Sequence, residues 1–529
     1  MNKSLYRLPL RKYLTCLKKT ATTATTHRPT DTIFIIIASI ILITNVLSCQ
    51  INPLGGSKEA LQKERRDSTN KALTAQWLGQ TLATDSLARQ LSQSNHEYIY
   101  QNLKKIYDLK DSTLLWQDLL NQQPHKADIE AILTALRQAD KHGLQPNYYR
   151  PQQIDSLLAQ TYPTDSAYYD STRLTHMWQL DALLTTAALS YTTDLLRGRT
   201  KPGAMWDMQY RSLPLAEALL DAIGQQQIPQ LIQKVSPQYP AYQQLKQHLN
   251  DNAQQLSPEQ ANKIRLSMER FRWLPNPDSL GNRYVWVNIP EFQMYVVQDK
   301  DTSSSITVVV GEPKNATPVV ANKKMHNVIF SPVWNVPIDI AYEEMEYILK
   351  NPAVLIVADV DVWVGGKKVD PRDVDWANVN KHSVKMRQRP KATNSMGRIK
   401  FPFDNNYGVY IHDTPNQHDF GLTTRATSHG CVRVKEPQIL AAEMLKGSKW
   451  TKEGMRKAMY SGKQQYANLP EKVSVNFVYF TAWPDSNGQI QYAKDVYGFD
   501  KRQLKNLVAT TTAAIAPKAK PKSPKNKTE

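Results

Sequence analysis

Apolar residues recur at intervals of three and four along a long stretch of the chain, residues 96–265. Leu103, Ile106 and Tyr107 show this spacing near its start, and the same spacing returns from Leu183 onward. Such spacing places apolar side chains on one face of a helix. The sequence therefore predicts a helical domain over 96–265, with these apolar stripes in its core.

Beyond Tyr284 the period of the pattern changes. Short runs rich in Val, Ile, Tyr and Phe are bounded by turn-forming residues, which predicts strands. The runs are 284–289, 292–297, 306–311, 328–330, 407–412 and 473–483. Segment 338–386 interrupts them with a helical stretch at 341–350 and charged loops. We therefore predict an α+β fold, in which a β-rich domain over 266–505 follows the helical domain.

The N-terminal segment, 1–49, has the pattern of an export signal. Residues 33–48 are uncharged, follow a basic region, and hold an apolar run too short for a spanning helix of about 20 residues. The run ends in Val-Leu-Ser-Cys49, which resembles a lipobox, so Cys49 is expected to carry lipid. An uncleaved signal anchor is the alternative. Either would hold the protein at a membrane of the cell envelope, facing the periplasm.

Two further segments, 50–95 and 506–529, contain no candidate catalytic residues. Residues 50–95 are polar and predict a spacer, and the Lys- and Pro-rich segment 506–529 predicts a disordered basic tail. The formal charge is +18, but seven basic residues against one acidic over 1–32, and five against one over 517–529, carry ten of these charges. Without a compact basic block or a recognisable motif, nucleic-acid binding is not predicted.

The residue with the clearest chemical potential is Cys431, one of three cysteines in the chain. His429 precedes it by two residues and His412 by nineteen. A thiol becomes a nucleophile when a neighbouring imidazole takes its proton, and Gly430 allows a substrate carbonyl to approach the backbone closely. The other two cysteines fall in the predicted leader, so a structural disulfide is not expected. We predict a catalytic cysteine, with a buried structural cysteine as the alternative.

This cluster resembles a known catalytic signature. His412, a variable stretch, and then Ser-His-Gly-Cys431-Val-Arg433 is similar to the signature of the YkuD-type L,D-transpeptidases of bacterial peptidoglycan. Further motifs follow in the order typical of the large, Gram-negative-type members. They are 268–275, 288–290, 310–311 with 317–318, 334–337, 387–388 with Asn394, Gly397 and 400–401, and 481–483.

The resemblance extends over residues 95–500 and implies a domain organisation. It implies that a helical scaffold domain precedes the catalytic domain, and that the insertion at 338–386 forms a mobile lid over the cleft. One departure is that no separate peptidoglycan-binding module precedes residue 268.

The resemblance also implies a reaction. A tetrapeptide stem would be cut before its terminal D-Ala, and its acyl group would pass through a cysteinyl thioester to the amine of another stem, which gives 3-3 cross-links. Cys431 would be the nucleophile and His412 the general base, oriented by the carbonyl of Asp413, with the Asp413 carboxylate as an alternative. Backbone N–H groups of 429–431, including that of Gly430, would form the oxyanion hole. By geometry alone, His429 competes for the role of base.

Five residues are candidates for substrate binding: Arg433, Ser428, Tyr410, Trp334 and Asn394. Arg433 would share a strand face with Cys431 and either bind a stem carboxylate or form a structural ion pair. Ser428 is otherwise interpreted as a hydroxyl that shapes the loop.

No cofactor is expected, and no metal, because His412, His418 and His429 lack zinc-type spacing. The expected partners are peptidoglycan stem peptides and the membrane, and the protein is expected to be a monomer. Two other functions remain open: an exported cysteine peptidase that trims stems, and a wall-binding envelope protein without catalysis. The acyl acceptor is also left open.

Overall fold

The computed structural model describes residues 95–110, 114–118, 123–162, 171–337, 340–341 and 345–513, all within one compact unit. The predicted leader with Cys49 and most of the predicted spacer and tail lie outside the described residues. Within the described ranges, no helix has the length and apolar character needed to cross a membrane.

Helices dominate the described chain up to Arg272. They are α1 (His96–Leu109), α2 (Lys126–Arg137), α3 (Pro151–Thr161), α4 (Ser171–Arg197), α5 (Leu215–Gly224), α6 (Ile228–Val235), α7 (Pro240–Asp251) and α8 (Pro258–Arg272). Helix α4 is central and contacts α1, α2, α3, α5, α6 and α8. Leu103, Ile106 and Tyr107 are buried in the same core. The predicted helical region is therefore confirmed, together with its apolar stripes.

Strands dominate after residue 282. They are β4 (Arg283–Asn288), β5 (Gln293–Gln298), β6 (Asp301–Gly311), β7 (Val319–Phe330), β12 (Ile399–Phe401), β13 (Ile411–His412), β14 (Ala426–Ser428), β15 (Val432–Val434) and β16 (Gln465–Val478). Three short pairs complete the set: β1 (Gln117–Asp118) with β2 (Gln123–Pro124), β17 (Ala482–Pro484) with β18 (Ile490–Tyr492), and β3 (Trp206–Asp207) with β7. The predicted α+β order is confirmed.

The main sheet closes on itself. Its strands run in the order β12-β13-β15-β6-β5-β4-β16-β7, and β12 also pairs with β7. Apolar residues fill the interior, among them Val285, Met294, Ile411 and Val432, all fully buried. Two helices, α11 (Pro437–Met444) and α12 (Lys452–Met459), cover part of this barrel. In the sheet itself, β13 lies between β12 and β15, and β15 lies between β13 and β6.

The insertion forms a small sheet with its own core. Strands β8 (Trp334–Asn335), β9 (Val360–Val364), β10 (Lys367–Val369) and β11 (Val384–Gln388) lie in the order β10-β9-β11-β8, beside helices α9 (Met345–Lys350) and α10 (Val354–Val357). Our expectation of charged loops here was wrong. Apolar and polar residues alternate along β9 and β11, so Val360, Val362, Val384 and Met386 turn inward to a common core.

Helix α8 joins the helical region to the barrel through buried charges. The Glu269 carboxylate accepts hydrogen bonds from the Thr200 N–H (2.6 Å) and from Arg272 (2.6 Å). Arg270 pairs with Asp500 (2.6 Å) on the last helix, α13 (Phe499–Ala513). Helix α8 thus binds both the segment that follows α4 and the C-terminal helix.

Helix α13 also corrects the boundary of the predicted tail. We expected disorder from residue 506, whereas α13 continues to Ala513. The Tyr148 hydroxyl donates a hydrogen bond to the Leu507 carbonyl (2.6 Å), and the Leu507 side chain is buried. Residues 506–513 precede the Lys- and Pro-rich run that begins at Ala516, and Leu507 packs against the helical region.

Candidate active site

Three adjacent strands bring the candidate catalytic residues to one face of the barrel. In the register of β13 and β15, His412 lies opposite Arg433, and in that of β12 and β13, Lys400 lies opposite His412. Side chains two residues apart share a face, which adds Tyr410 and Cys431 to the group. The residues between them point into the barrel core, so this cluster lies on the outer face.

His412 is held in one tautomer. Its side chain is buried, and Nδ1 lies 2.5 Å from the backbone carbonyl oxygen of Asp413. A carbonyl oxygen can only accept a hydrogen bond, so Nδ1 carries the proton and Nε2 presents a lone pair. Burial, with smaller contributions from Arg433 and Lys400, lowers the pKa of His412 to about 3. The imidazole is therefore neutral at neutral pH and can accept a proton.

The Asp413 carboxylate has a separate task. It accepts hydrogen bonds from the backbone N–H groups of Arg398 and Thr414, both at 2.7 Å. Gly397 makes room for it, because a Cβ there would lie 2.4 Å from Asp413 Cγ, and the φ of Gly397 is +59°. Of the two expected orienting groups, the structure places the carbonyl and not the carboxylate against His412.

Cys431 is half-buried, and the surroundings of its thiol act on the thiol pKa in opposite directions. Burial raises the pKa of Cys431 above its ordinary value, while Tyr410 and the cations of Lys400 and Arg433 lower it. The raised pKa means that the thiol is protonated at neutral pH. Thiol and imidazole are thus both neutral at rest, and a thiolate forms when an imidazole takes its proton.

Ser428 shapes the loop that leads into Cys431. Its buried hydroxyl donates to the Cys431 carbonyl (2.5 Å) and accepts from the Gly430 N–H (3.2 Å). The structure thus favours the loop-shaping interpretation over substrate binding.

The same contacts reduce the number of backbone N–H groups available for the predicted oxyanion hole. The Gly430 N–H is already used, whereas the Cys431 N–H has no hydrogen-bond acceptor among the residues that the structure describes. Gly430 adopts a φ of +106°, and its carbonyl accepts from the hydroxyl of buried Thr317 (2.8 Å). Of these donors, the Cys431 N–H remains available for an oxyanion.

Arg433 is held in an ion pair, whereas His429 lies at the surface. Arg433 forms an ion pair with Asp419 (2.9 Å), which also accepts the Thr427 hydroxyl (2.9 Å). The structural ion pair expected as an alternative is therefore present. His429 is exposed, unlike buried His412.

Trp334 and Tyr410 link the insertion to the site. Trp334 begins the insertion sheet and pairs with Gln388. Its side chain is half-buried and lies near the Tyr410 hydroxyl, while the Tyr410 ring packs edge-on against His412 at 5.7 Å between centroids. Burial and the neighbouring Cys431 raise the pKa of Tyr410, so its phenol stays protonated.

Asn394 is not placed to contact a substrate, contrary to our prediction. It is fully buried, and its amide nitrogen donates to the carbonyls of Pro332 (3.2 Å), Arg389 (3.0 Å) and Gln388 (3.4 Å). Its carbonyl accepts from the Met396 N–H (2.8 Å). Asn394 therefore ties together the two chain segments that lead into and out of the insertion.

Replacing Asn394 with alanine is expected to reduce the free energy of unfolding by about 1–3 kcal/mol, because buried carbonyls lose their donor. Urea unfolding followed by tryptophan fluorescence measures this change. Asn378→Ala, in an exposed turn of the insertion, is the control and is expected to have little effect. Equal stabilities of Asn394→Ala and the parent protein would contradict the assigned role.

Lys400 and Thr317 lie in motifs of the resemblance, at 400–401 and 317–318, but the sequence assigns neither residue a role in the site. The Lys400 Nζ lies 3.7 Å from the centre of the Tyr410 ring. The alternation Ile399-Lys400-Phe401 is visible in the sequence and places Lys400 on the face opposite the core. The motif at 317–318 marked Thr317 without indicating its partner, because its contact with Gly430 joins chain segments over one hundred residues apart.

The described residues contain no group of three or more His, Cys, Asp and Glu side chains arranged to hold a metal ion. The cluster supplies a neutral base, a thiol, a backbone donor and two cations. This set can perform nucleophilic acyl transfer.

Comparison with known proteins identifies the family. The family model for the L,D-transpeptidase catalytic domain, YkuD, matches residues 282–451, which hold the whole cluster. The chain therefore carries a YkuD-type L,D-transpeptidase catalytic domain. A second model, the scaffold domain, matches residues 101–249, within the helical region.

A curated relative agrees with this assignment. The Haemophilus influenzae protein named "Putative L,D-transpeptidase" is 31% identical over 243 residues, which are 45% of this chain and 48% of the relative. The match thus spans about half the length of that relative.

Two solved structures are more distant. The L,D-transpeptidase from Mycobacterium smegmatis has 13% identity, covers 38% of this chain and 60% of its own, and has a TM-score of 0.19. The Ldtfm-avibactam carbamoyl enzyme has 14% identity, coverage of 37% and 49%, and a TM-score of 0.16.

Proposed function

We propose that the protein is a peptidoglycan L,D-transpeptidase that forms 3-3 cross-links through a thioester on Cys431. The observation that carries this proposal is the neutral, oriented imidazole of His412 on the same barrel face as the thiol. Family membership supports the transferase class, and the cluster supports the cysteine mechanism.

In the first half-reaction, His412 Nε2 takes the Cys431 proton as sulfur attacks the carbonyl of the third stem residue. The Cys431 N–H stabilises the oxyanion. The imidazolium then returns the proton to the departing amine of D-Ala, and the acyl group remains on sulfur as a thioester.

In the second half-reaction, the side-chain amine of another stem attacks the thioester. His412 takes a proton from this amine, the new amide bond forms, and the proton returns to sulfur as the thiolate leaves. No net proton is gained or lost over the cycle. A neutral resting pair suits this sequence because the base is unprotonated whenever a nucleophile needs it.

The insertion would cover the acyl donor during the reaction. Trp334 lies at its first strand and near Tyr410, so closure of this sheet would exclude water from the thioester. Exclusion of water favours transfer of the acyl group to an amine over hydrolysis of the thioester. The alternative function, a stem-trimming peptidase, would require that hydrolysis.

As an envelope enzyme, the protein would face the periplasm on a lipidated Cys49 or an uncleaved signal anchor. The apolar run at 33–48 and the lipobox-like end support this placement. Cys49 itself lies outside the described residues.

Incubation with a disaccharide-tetrapeptide, followed by mass spectrometry of the products, tests the activity. Cross-linking gives dimers that lack one D-Ala, and the Cys431→Ala variant is expected to give none. Tripeptide alone would indicate a stem-trimming peptidase. Unchanged substrate with the parent protein would favour a wall-binding role without catalysis.

A further inference from the structure

Lys400 occupies a constrained position beside the nucleophile. Its neighbours Ile399 and Phe401 are fully buried in the barrel core, so strand alternation fixes Lys400 on the outer face. There it lies opposite His412 in the strand register, and its Nζ is 3.7 Å from the centre of the Tyr410 ring. A contact at this distance has the geometry of a cation–π interaction.

Titratable side chains from three neighbouring strands surround this position. Strand β12 contributes Lys400 itself, β13 and the residue before it contribute Tyr410 and His412, and β15 with its preceding residue contributes Cys431 and Arg433. Asp419 pairs with Arg433 and offsets its charge (2.9 Å). Within the described part of the chain, Lys400 makes no ion pair with a carboxylate.

A half-buried cation without an anionic partner is unfavourable, because burial removes water that would solvate the charge. Burial accordingly lowers the pKa of Lys400, and the neighbour that acts in the opposite direction is Cys431. The interaction is reciprocal, since Lys400 lowers the pKa of the Cys431 thiol. Electrostatically, this cluster lacks one negative charge, and ionised sulfur would supply it.

We propose that Lys400, held in place by the Tyr410 ring, is a positioning residue that stabilises the thiolate form of Cys431. The role rests on Cys431 being the nucleophile of the proposed function. Arg433 cannot replace it fully because Asp419 neutralises its charge. With a neutral side chain at position 400, burial would still disfavour the thiolate of Cys431, and one of the cations that oppose this effect would be lost.

Alkylation by iodoacetamide tests this role without requiring transpeptidase activity. The thiolate forms a carbon–sulfur bond and iodide leaves, so the rate reports the ionised fraction of Cys431. Because the chain holds two further cysteines, the mass of the proteolytic peptide that contains Cys431 is followed after labelling between pH 6 and 11. In Lys400→Met the midpoint of the rate profile is expected to rise by about one pH unit, which is about a tenfold lower rate at a fixed pH below the midpoint.

Three further variants make the result interpretable. Lys400→Arg keeps the charge and is expected to retain most of the parent profile. Lys435→Met removes an exposed charge four residues after Cys431 and is the matched control, with no shift expected. Lys400→Gln serves if Lys400→Met lowers the midpoint of thermal unfolding.

If the alkylation rates of the parent protein, Lys400→Met and Lys400→Gln depended on pH in the same way, the proposal would be overturned. An unchanged profile combined with a raised KM for a donor with a free terminal carboxylate would also overturn it, and would assign Lys400 to the ligand. A shifted profile in a protein that makes no cross-links would retain the role of Lys400 and reject the transpeptidase function.

Discussion

Replacement of His412 by asparagine is expected to lower the rate of acyl transfer by about 10²–10⁴-fold, the usual contribution of a general base. Asparagine retains an N–H that can reach the Asp413 carbonyl, so the orienting contact is preserved. It lacks the Nε2 lone pair that would accept the thiol proton. The release of D-Ala from a tetrapeptide stem, measured in single-turnover experiments, isolates the first half-reaction.

His429→Asn is the matched control for this experiment. His429 lies two residues from the nucleophile but is exposed, whereas His412 is buried and locked in one tautomer. The control is therefore expected to retain most of the activity. A large loss in His429→Asn together with a small loss in His412→Asn would exchange the two roles and contradict the proposed mechanism.

Glu269→Ala is expected to reduce the free energy of unfolding by about 3–5 kcal/mol, because it leaves the Arg272 guanidinium buried without its counter-ion. Glu269 and Arg272 are each about 1% exposed and lie 2.6 Å apart. The mutation also removes the acceptor for the Thr200 N–H and hydroxyl. Urea unfolding, followed by circular dichroism, measures the loss.

An exposed ion pair on the same helix provides the comparison. Glu259 and Lys263 lie 2.8 Å apart near the start of α8, with Glu259 in solvent. Water screens such pairs, so Glu259→Ala is expected to leave the unfolding midpoint unchanged. Similar effects of the two substitutions would mean that the buried charges at this junction contribute no more than surface charges.

The order of helical and β-rich regions was predictable because buried residues recur along the sequence with the period of the element they belong to. Leu103, Ile106 and Tyr107 repeat with the period of a helix and are buried together. The same logic was available for the insertion, where apolar and polar residues alternate along β9 and β11. We missed these strands because charged residues flank them and made the segment resemble loops.

The members of the candidate catalytic cluster were predictable from the sequence, but their geometry was not. A motif places Cys431 and His412 in one chain, whereas their common face depends on the parallel pairing of β13 with β15. The functions of Ser428 and Asn394 also depend on tertiary structure. A polar side chain in a loop can face a ligand or its own backbone, and only the loop conformation decides between them.

The two ends of the insertion meet at a single point of the barrel. Phe330 and Ile399 are direct partners in the pairing of β7 with β12, and the Ser331 N–H donates to the Arg398 carbonyl (2.9 Å) just outside it. Topologically, all of 331–398 is one oversized hairpin connection. This connection can therefore change in length or sequence during evolution without opening the barrel. The pairing of β7 with β12 closes the barrel whatever the connection contains.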